Sequence, residues 1–341
     1  MIQTEMAIIG DMIVHRVGDD EAKAVLNNDV AQVGDDDEAA LFRRMFLKPF
    51  TTHSSTFEFS HPVDVEYNVL FKLAKAIHEG EDLGECSRDI ARHLVSVSKH
   101  PNIKEGDLFI ARFDDIGFGG KHYQGLGIYK FEDKDSYLEV SATGKQVKYT
   151  LKKGIGGRKP DKACLVLFTD EPYTLLIIDN SNTETDYWQN EFIKHRPKSD
   201  FVNNTNDVMG MARTFITEQI PQVYEVSKAD QIDFMNRSVN YFKTHEVFDK
   251  KEFEKEVFHH EELIKNFRKF DKTYREENEL DVADSFEISQ QSVKKQARIF
   301  KSVLKLDKNF HIYIHGDREL IEQGTDSQGR KYYKIYYEQE S

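Results

Sequence analysis

Two uninterrupted apolar runs, Cys164 to Phe168 and Leu175 to Ile178, flank a polar turn that contains Asp170, Glu171 and Pro172. Both are far shorter than the roughly 18 apolar residues a membrane span needs. They read as two inner strands joined by a turn. Upstream, β-rich runs at Leu108 to Phe113 and Gly125 to Phe131 are separated by the glycine-rich Gly117 to Gly120, which predicts a hairpin. Val65, Val69, Leu73 and Ile77 recur every four residues with Leu70 on the same side, so a helix is expected there. A second helix, carrying Ile90, Ala91, Leu94 and Val95, is expected to be capped by Ser87 and to end before Pro101. The fold class is therefore α+β: a mainly antiparallel sheet with packed helices forms a first domain over residues 1–200.

The period changes near residue 205. Val208, Met211, Ala212, Phe215 and Ile216 mark a helix closed by Pro221, and Ile232, Met235, Val239 and Phe242 mark another. Residues 246–287 interleave fourteen acidic and eight basic side chains with Phe253, Val257, Leu263, Phe267, Phe270 and Tyr274, the pattern of solvent-facing amphipathic helices. Strands return at Phe310 to His315, Glu319 to Glu322 and Lys331 to Tyr337, with Gly316, Gly324 and Gly329 at the turns. The second domain, residues 201–341, is thus helical and ends in a small antiparallel sheet.

Composition sets the broad class. With 39% hydrophobic and 31% charged residues, 7 Pro and 19 Gly, the chain is neither collagen-like, disordered throughout nor a membrane protein. Met1 to Val17 lacks the basic, apolar and small-residue succession of a leader, so export is not expected. Two cysteines, Cys86 and Cys164, supply neither a disulfide framework nor a four-ligand zinc site, in keeping with a reducing cytoplasm.

The net charge of −13 argues against a protein that coats nucleic acid by general attraction. Its distribution is uneven. The run Asp35, Asp36, Asp37, Glu38 reads as a lead-in to a helix, whose first turn favours carboxylates. Basic groups concentrate in two places. One is Lys145, Lys148, Lys152, Lys153, Arg158, Lys159 and Lys162; the other is Lys294, Lys295, Arg298, Lys301, Lys305, Lys308 and Arg318.

On a continuous helix, Lys294, Arg298, Lys301 and Lys305 form one stripe and Val293, Ala297, Phe300 and Leu304 a parallel one, so one face packs and the next can meet phosphates. Ordinary solvated lysines are the plain alternative. Ala283, Phe286, Ile288, Ser289, Ser292 and Val293 fall at offsets resembling a helix-turn-helix, with Glu287 at the usual turn glycine and polar Gln296 at a core position. The other cluster surrounds Gly154, Gly156 and Gly157; it is either a phosphate cradle or a basic surface loop.

Signals for catalysis are thin. A phosphate-binding loop of the Gly-x4-Gly-Lys-Ser/Thr type is excluded, because the nearest stretch has Asp115 at the first glycine and His122 after Lys121. No Gly-x-Ser-x-Gly occurs. Asp114 or Asp115 with Glu132 and Lys134 has the spacing of a Mg²⁺-dependent nuclease, with exposed hairpin charges as the alternative. His259, His260, Glu261 and Glu262 are better placed for capping than for metal binding, and His311 and His315 lack a carboxylate partner in sequence.

Long stretches carry a family resemblance: ADSFEISQQSVKKQARIFKSVLKLDKNFHIYIHG (283–316), RELIEQG (318–324), GRKYYKIYY (329–337), ARHLVSVSKHPNIKEGDLFIARFDD (91–115) and VMGMARTFITEQIP (208–221). In these the chain resembles the bacterial nucleoid-associated protein family of the YejK/NdpA type over nearly its full length. The resemblance implies a cytoplasmic, chromosome-associated protein that binds DNA without an established catalytic motif. The expected function is contact with duplex DNA, mainly to phosphates, through Lys294, Lys295, Arg298, Lys301, Lys305, Lys145, Lys148, Lys152, Lys153, Arg158 and Lys159. No cofactor, metal or membrane is expected. Double-stranded DNA, chromosome-associated proteins and a second copy of the chain are the expected partners. The alternatives are a nuclease using Asp114, Glu132 and Lys134, and an adaptor for other chromosome proteins working through the acidic helices.

Overall fold

A computed structural model describes residues 2–20, 24–180, 187–300, 303–314 and 318–339. The chain divides into one unit ending at Lys198 and another beginning at Ser199.

In the first unit, the strands are β1 (Ile8–Val17), β2 (Ala31–Gln32), β3 (Phe57–Phe59), β4 (Gly106–Phe118), β5 (Lys121–Phe131), β6 (Asp135–Thr143), β7 (Gln146–Gly154), β8 (Lys162–Leu167), β9 (Thr174–Asp179) and β10 (His195–Pro197). Eight of them form an antiparallel sheet in the order β10-β3-β9-β8-β5-β4-β1-β2. The glycine-rich hairpin lies between β4 and β5, where Gly119 and Gly120 both take positive φ as a two-residue turn requires. Apolar β8 and β9 pair as inner strands because the sheet is covered on both faces. One face packs on α2 (Val69–His78) and α3 (Leu83–Val97) through Leu108, Ile110, Leu126, Ile128, Cys164 and Val166. On the other, Phe46 stacks on Tyr129 with ring centroids 4.3 Å apart and meets Phe109 at 5.6 Å.

Both helices are present, with two corrections. Val65 lies in a short turn before α2 and Val69 is 44% exposed; the helix buries Leu70 and Ile77 as expected, with Phe71 and Ala74 beside them. The cap of α3 is Asp82, which accepts from the Glu85 N–H, while Ser87 lies buried inside the helix and donates to the Gly84 carbonyl. The acidic run does open a helix, α1 (Asp36–Phe42), with Asp35 accepting from the Glu38 N–H.

The second unit holds α4 (Phe201–Thr214), α5 (Ile220–Val223), α6 (Lys228–Thr244), α7 (Lys250–Phe258), α8 (Glu261–Glu277) and α9 (Gln290–Gln296), with β11 (Val247–Asp249) paired to β12 (Ser285–Glu287). Pro221 does not close the α4 path; it sits in the first turn of α5, where a missing N–H costs nothing. Phe215, Phe253, Phe258 and Phe267 form the aromatic centre of its core. The C-terminal strands form two small antiparallel sheets, β13 (Val303–Leu306) with β14 (Phe310–Tyr313) and β15 (Ile321–Thr325) with β16 (Lys331–Ile335). Gly324 is therefore inside a strand rather than at a turn; Gly316 and His315 lie outside the described residues. Among the described residues, no helix is long and apolar enough to cross a membrane.

Candidate nucleic-acid interface

The first basic cluster is divided among several elements: Lys148, Lys152 and Lys153 lie on β7, Lys145 in the turn before it, Arg158 and Lys159 in the loop that follows, and Lys162 on β8. β7 pairs with β6 alone, and both strands are exposed along nearly their whole length. Nine residues per strand make an arm about 30 Å long. Gly144, at φ +63°, takes the first of the two turn positions at its tip, and Lys145 the second. The register sorts the side chains by face. Tyr137 opposes Lys152, Glu139 opposes Thr150 and Ser141 opposes Lys148, giving a polar, basic face. Leu138 opposes Leu151, Val140 opposes Tyr149 and Ala142 opposes Val147, giving an apolar face with Lys153 at its root. Four lysines thus stand on the arm against Asp135 and Glu139. Glu139 pairs with Lys152 at 2.7 Å and raises its pKa chiefly through that hydrogen bond.

The arm is built on a clamped root. The Asp161 carboxylate accepts from the Glu132 N–H at 2.7 Å and from Arg158 at 3.0 Å, and Arg158 also reaches Asp135 at 3.7 Å. Arg158 is thus engaged in holding the two ends of the arm together, and Arg44 packs against the φ +80° glycine Gly157 beside it. Beneath this root, Lys130 and Lys162 oppose each other across β5 and β8, each 1% exposed. Lys130 donates to the Lys104 carbonyl at 2.7 Å, to Glu132 at 3.0 Å and to the Tyr187 hydroxyl at 3.1 Å. Lys162 pairs with Asp179 at 2.7 Å and lies 5.1 Å from the centre of the Tyr187 ring. Burial pulls the Lys130 pKa below the ordinary lysine value, with Glu132 opposing that shift. Lys130 was not singled out in the sequence, and Lys162, counted there with the basic cluster, is buried. The available signal was period two, which puts Lys130 on the face of Leu126 and Ile128.

The second basic cluster is not one helical stripe. The helix α9 ends at Gln296, Arg298 lies in the following turn, and Lys305 is on β13. The apolar partners still pack, since Val293, Phe300 and Leu304 are buried, but from a helix, a turn and a strand. Lys294, Lys295, Arg298 and Lys305 are exposed; Lys301 lies outside the described residues. The helix-turn-helix reading fails as well. Its first helix is replaced by β12, and Ser289 and Ser292 at the start of α9 are buried, at 4% and 1% exposed.

The nuclease residues do not converge. Asp107 opposes Phe131, so Asp114, seven residues farther along β4, is on the order of 23 Å from Glu132. Asp114 accepts from Gln124, Glu132 is occupied by Lys130, and Lys134 pairs with Asp107. Asp115, at φ +56°, occupies the β4 bulge. His260 stands at the N-cap position of α8 without a side-chain cap hydrogen bond, and Glu261 and Glu262 lie in the first turn, where carboxylates are favoured. Among the described residues, one group of metal-ligand type is assembled: His245, Glu252 and Glu256, with His245 Nε2 3.6 Å from Glu256. His245 also stacks on Tyr241 at 4.1 Å, and its Nδ1 lies 3.0 Å from the Tyr241 carbonyl, so the ring is held by packing on α6.

Fold and arm together define an α+β protein that carries an exposed basic β-ribbon. The chain belongs to the NA37 family, described as nucleoid-associated protein YejK, whose profile matches residues 13–339. No curated protein and no solved structure matches it. Family membership gives the chain a nucleoid-associated role and a place at the nucleoid.

Proposed function

We propose that the chain contacts duplex DNA directly, mainly at phosphates, with the β6–β7 arm as its leading surface. The observation that carries this reading is an exposed two-stranded ribbon bearing Lys145, Lys148, Lys152 and Lys153 on a chain of net charge −13. A ribbon of this width enters the major groove, and lysines along it can replace condensed counterions. Lys159 adds to the arm's root, whereas Arg158 is held in the root clamp. The exposed Lys294, Lys295, Arg298 and Lys305 are a separate, secondary surface of the second unit. The role is non-enzymatic and calls for no cofactor.

The test is binding of the full chain to a labelled duplex across a salt series, with Mg²⁺ and then with EDTA. Direct contact gives affinity that falls steeply with salt, each phosphate contact contributing about −0.9 to the log–log slope. Replacing the four arm lysines by Gln should then weaken binding and flatten the slope by about 3 to 4 if all four make such contacts. No binding of the wild type at low salt would transfer the role to an adaptor, and Mg²⁺-dependent cutting would make the chain a nuclease.

A further inference from the structure

We propose that the apolar face of the β6–β7 arm seats the same face of a second copy of this chain, the two arms stacking about a two-fold axis. Leu138, Val140, Val147, Tyr149 and Leu151 are 59%, 65%, 73%, 75% and 66% exposed. A two-stranded hairpin wet on both faces is marginal in water, yet this one alternates apolar with polar over 138–142 and 147–151, which specifies one dry face. The five side chains offer on the order of 600 Å², at the upper end of what monomers leave uncovered. Two copies laid together remove about 1,200 Å², where specific association begins.

The face suits itself better than it suits DNA. Its only cation, Lys153, is at the root, so phosphates find no partners along its middle. Its cross-strand pairs run from Leu138–Leu151 through Val140–Tyr149 to Ala142–Val147. A two-fold axis crossing at Val140–Tyr149 sets the large leucine pair of one protomer over the small Ala–Val pair of its partner, so both ends of the interface fill by the same contact. Lys153 then falls at the rim, level with the partner's turn and its Lys145. That like-charge contact is screened by salt, so pairing holds or strengthens as salt rises, opposite to DNA binding. The polar faces, with Lys148 and Lys152, point outward on opposite sides. If the proposed DNA contact is right, one dimer holds two duplex segments; the pairing of arms does not depend on that reading.

Sedimentation velocity of the full chain without DNA, at 100 and 500 mM salt, tests the pairing directly. The wild type should be a dimer at both, and Val140→Lys with Tyr149→Lys should weaken it about 100-fold, with far-UV circular dichroism and Trp188 fluorescence unchanged. A bis-maleimide spanning about 10 Å, the spacing of stacked sheets, should join two copies of Val140→Cys but not of Thr150→Cys on the polar face. Cys86 and Cys164 are buried and stay silent. A monomeric wild type, a dimer untouched by the double substitution, equal cross-linking from both faces, or an apolar face covered only when duplex is added would each overturn the proposal. Loss of DNA binding by the lysine-to-Gln variant with the dimer intact separates the two readings.

Discussion

Replacing Glu132 by Gln removes the counter-charge of a lysine that has almost no access to water. The side chains of Lys130 and Glu132 are 2% and 6% exposed with 3.0 Å between the charged atoms, so solvent screening does little to soften the loss. Breaking a buried pair from one side costs roughly 3 to 5 kcal/mol. The Lys104 carbonyl and Tyr187 hydroxyl still accept from Lys130, and Asp161 still attracts it, which holds the expected cost near the lower end, about 3 kcal/mol. For a unit of this size that is a fall of about 6 to 12 °C in its unfolding temperature. Trp188 is the only tryptophan and is fully buried in the first unit, so urea unfolding followed by its fluorescence reports on the core of that unit.

The pH dependence gives this prediction a sign. Burial lowers the folded-state pKa of Lys130, Lys162 pushes the same way, and Glu132 and Asp161 oppose them. Without Glu132 the folded pKa drops further, while the unfolded chain keeps its proton up to about 10.4. Between those values the unfolded state binds more protons, so the stability of the variant rises with pH. Its deficit against the wild type is therefore full below the folded pKa and shrinks toward pH 10. Burial raises the Tyr187 pKa, so its hydroxyl remains protonated through that range. Adding Lys130→Met to Glu132→Gln should recover most of the loss, because an apolar side chain of similar volume carries no charge to strand. A single variant within about 0.5 kcal/mol of wild type, a deficit that does not narrow at pH 10, or a double variant no better than the single would refute the reasoning.

Three further outcomes are expected. His15 is 1% exposed, accepts from the Asn27 N–H through Nδ1 and lies 3.0 Å from Ser87 Oγ; burial, aided by Arg88, pushes its pKa down to about 4. Its stabilising contribution is complete above the unfolded value near 6.5 and is lost as pH falls toward 4, about 3 kcal/mol in all; His15→Gln should flatten the Trp188-monitored stability profile over that window by this amount. Arg158→Ala should loosen the root of the arm, raising trypsin cleavage within β6–β7 several-fold while the first unit's unfolding shifts by no more than about 1 kcal/mol, since Arg158 is partly solvated. Lys294→Glu with Arg298→Glu should weaken duplex binding less than the arm substitutions do; an equal or greater loss, measured by anisotropy at one salt concentration, would move the leading surface to the second unit.

The strands of the main sheet were legible because their apolar runs are long enough to be buried and are punctuated by turn residues; Gly119 and Gly120 act as the pattern required. The arm carries a signal of the same kind, Leu138, Val140 and Ala142 answered by Val147, Tyr149 and Leu151, but it is submerged in a charge cluster that draws the eye to its lysines. The misplaced helix at 293–305 has a different cause. Apolar residues at 293, 297, 300 and 304 meet helical spacing, yet Val303–Leu306 finds its partner in Phe310–Tyr313. A strand partner several residues away outweighs local periodicity.

Charge is the least legible property, because what a lysine does depends on what stands across from it. The segment 141–162 counts seven cations against one carboxylate, but two of them are spent inside the fold: Lys162 on Asp179, and Arg158 on Asp161 and Asp135. Lys152 shares its charge with Glu139, which lies outside the segment in sequence and opposite Thr150, on the same face of the ribbon. What remains for a phosphate is chiefly Lys145, Lys148, Lys153 and Lys159, three of them on the arm. An acidic chain can therefore offer DNA a small basic surface, provided that surface stands clear of the body on a ribbon about four Debye lengths long at physiological salt.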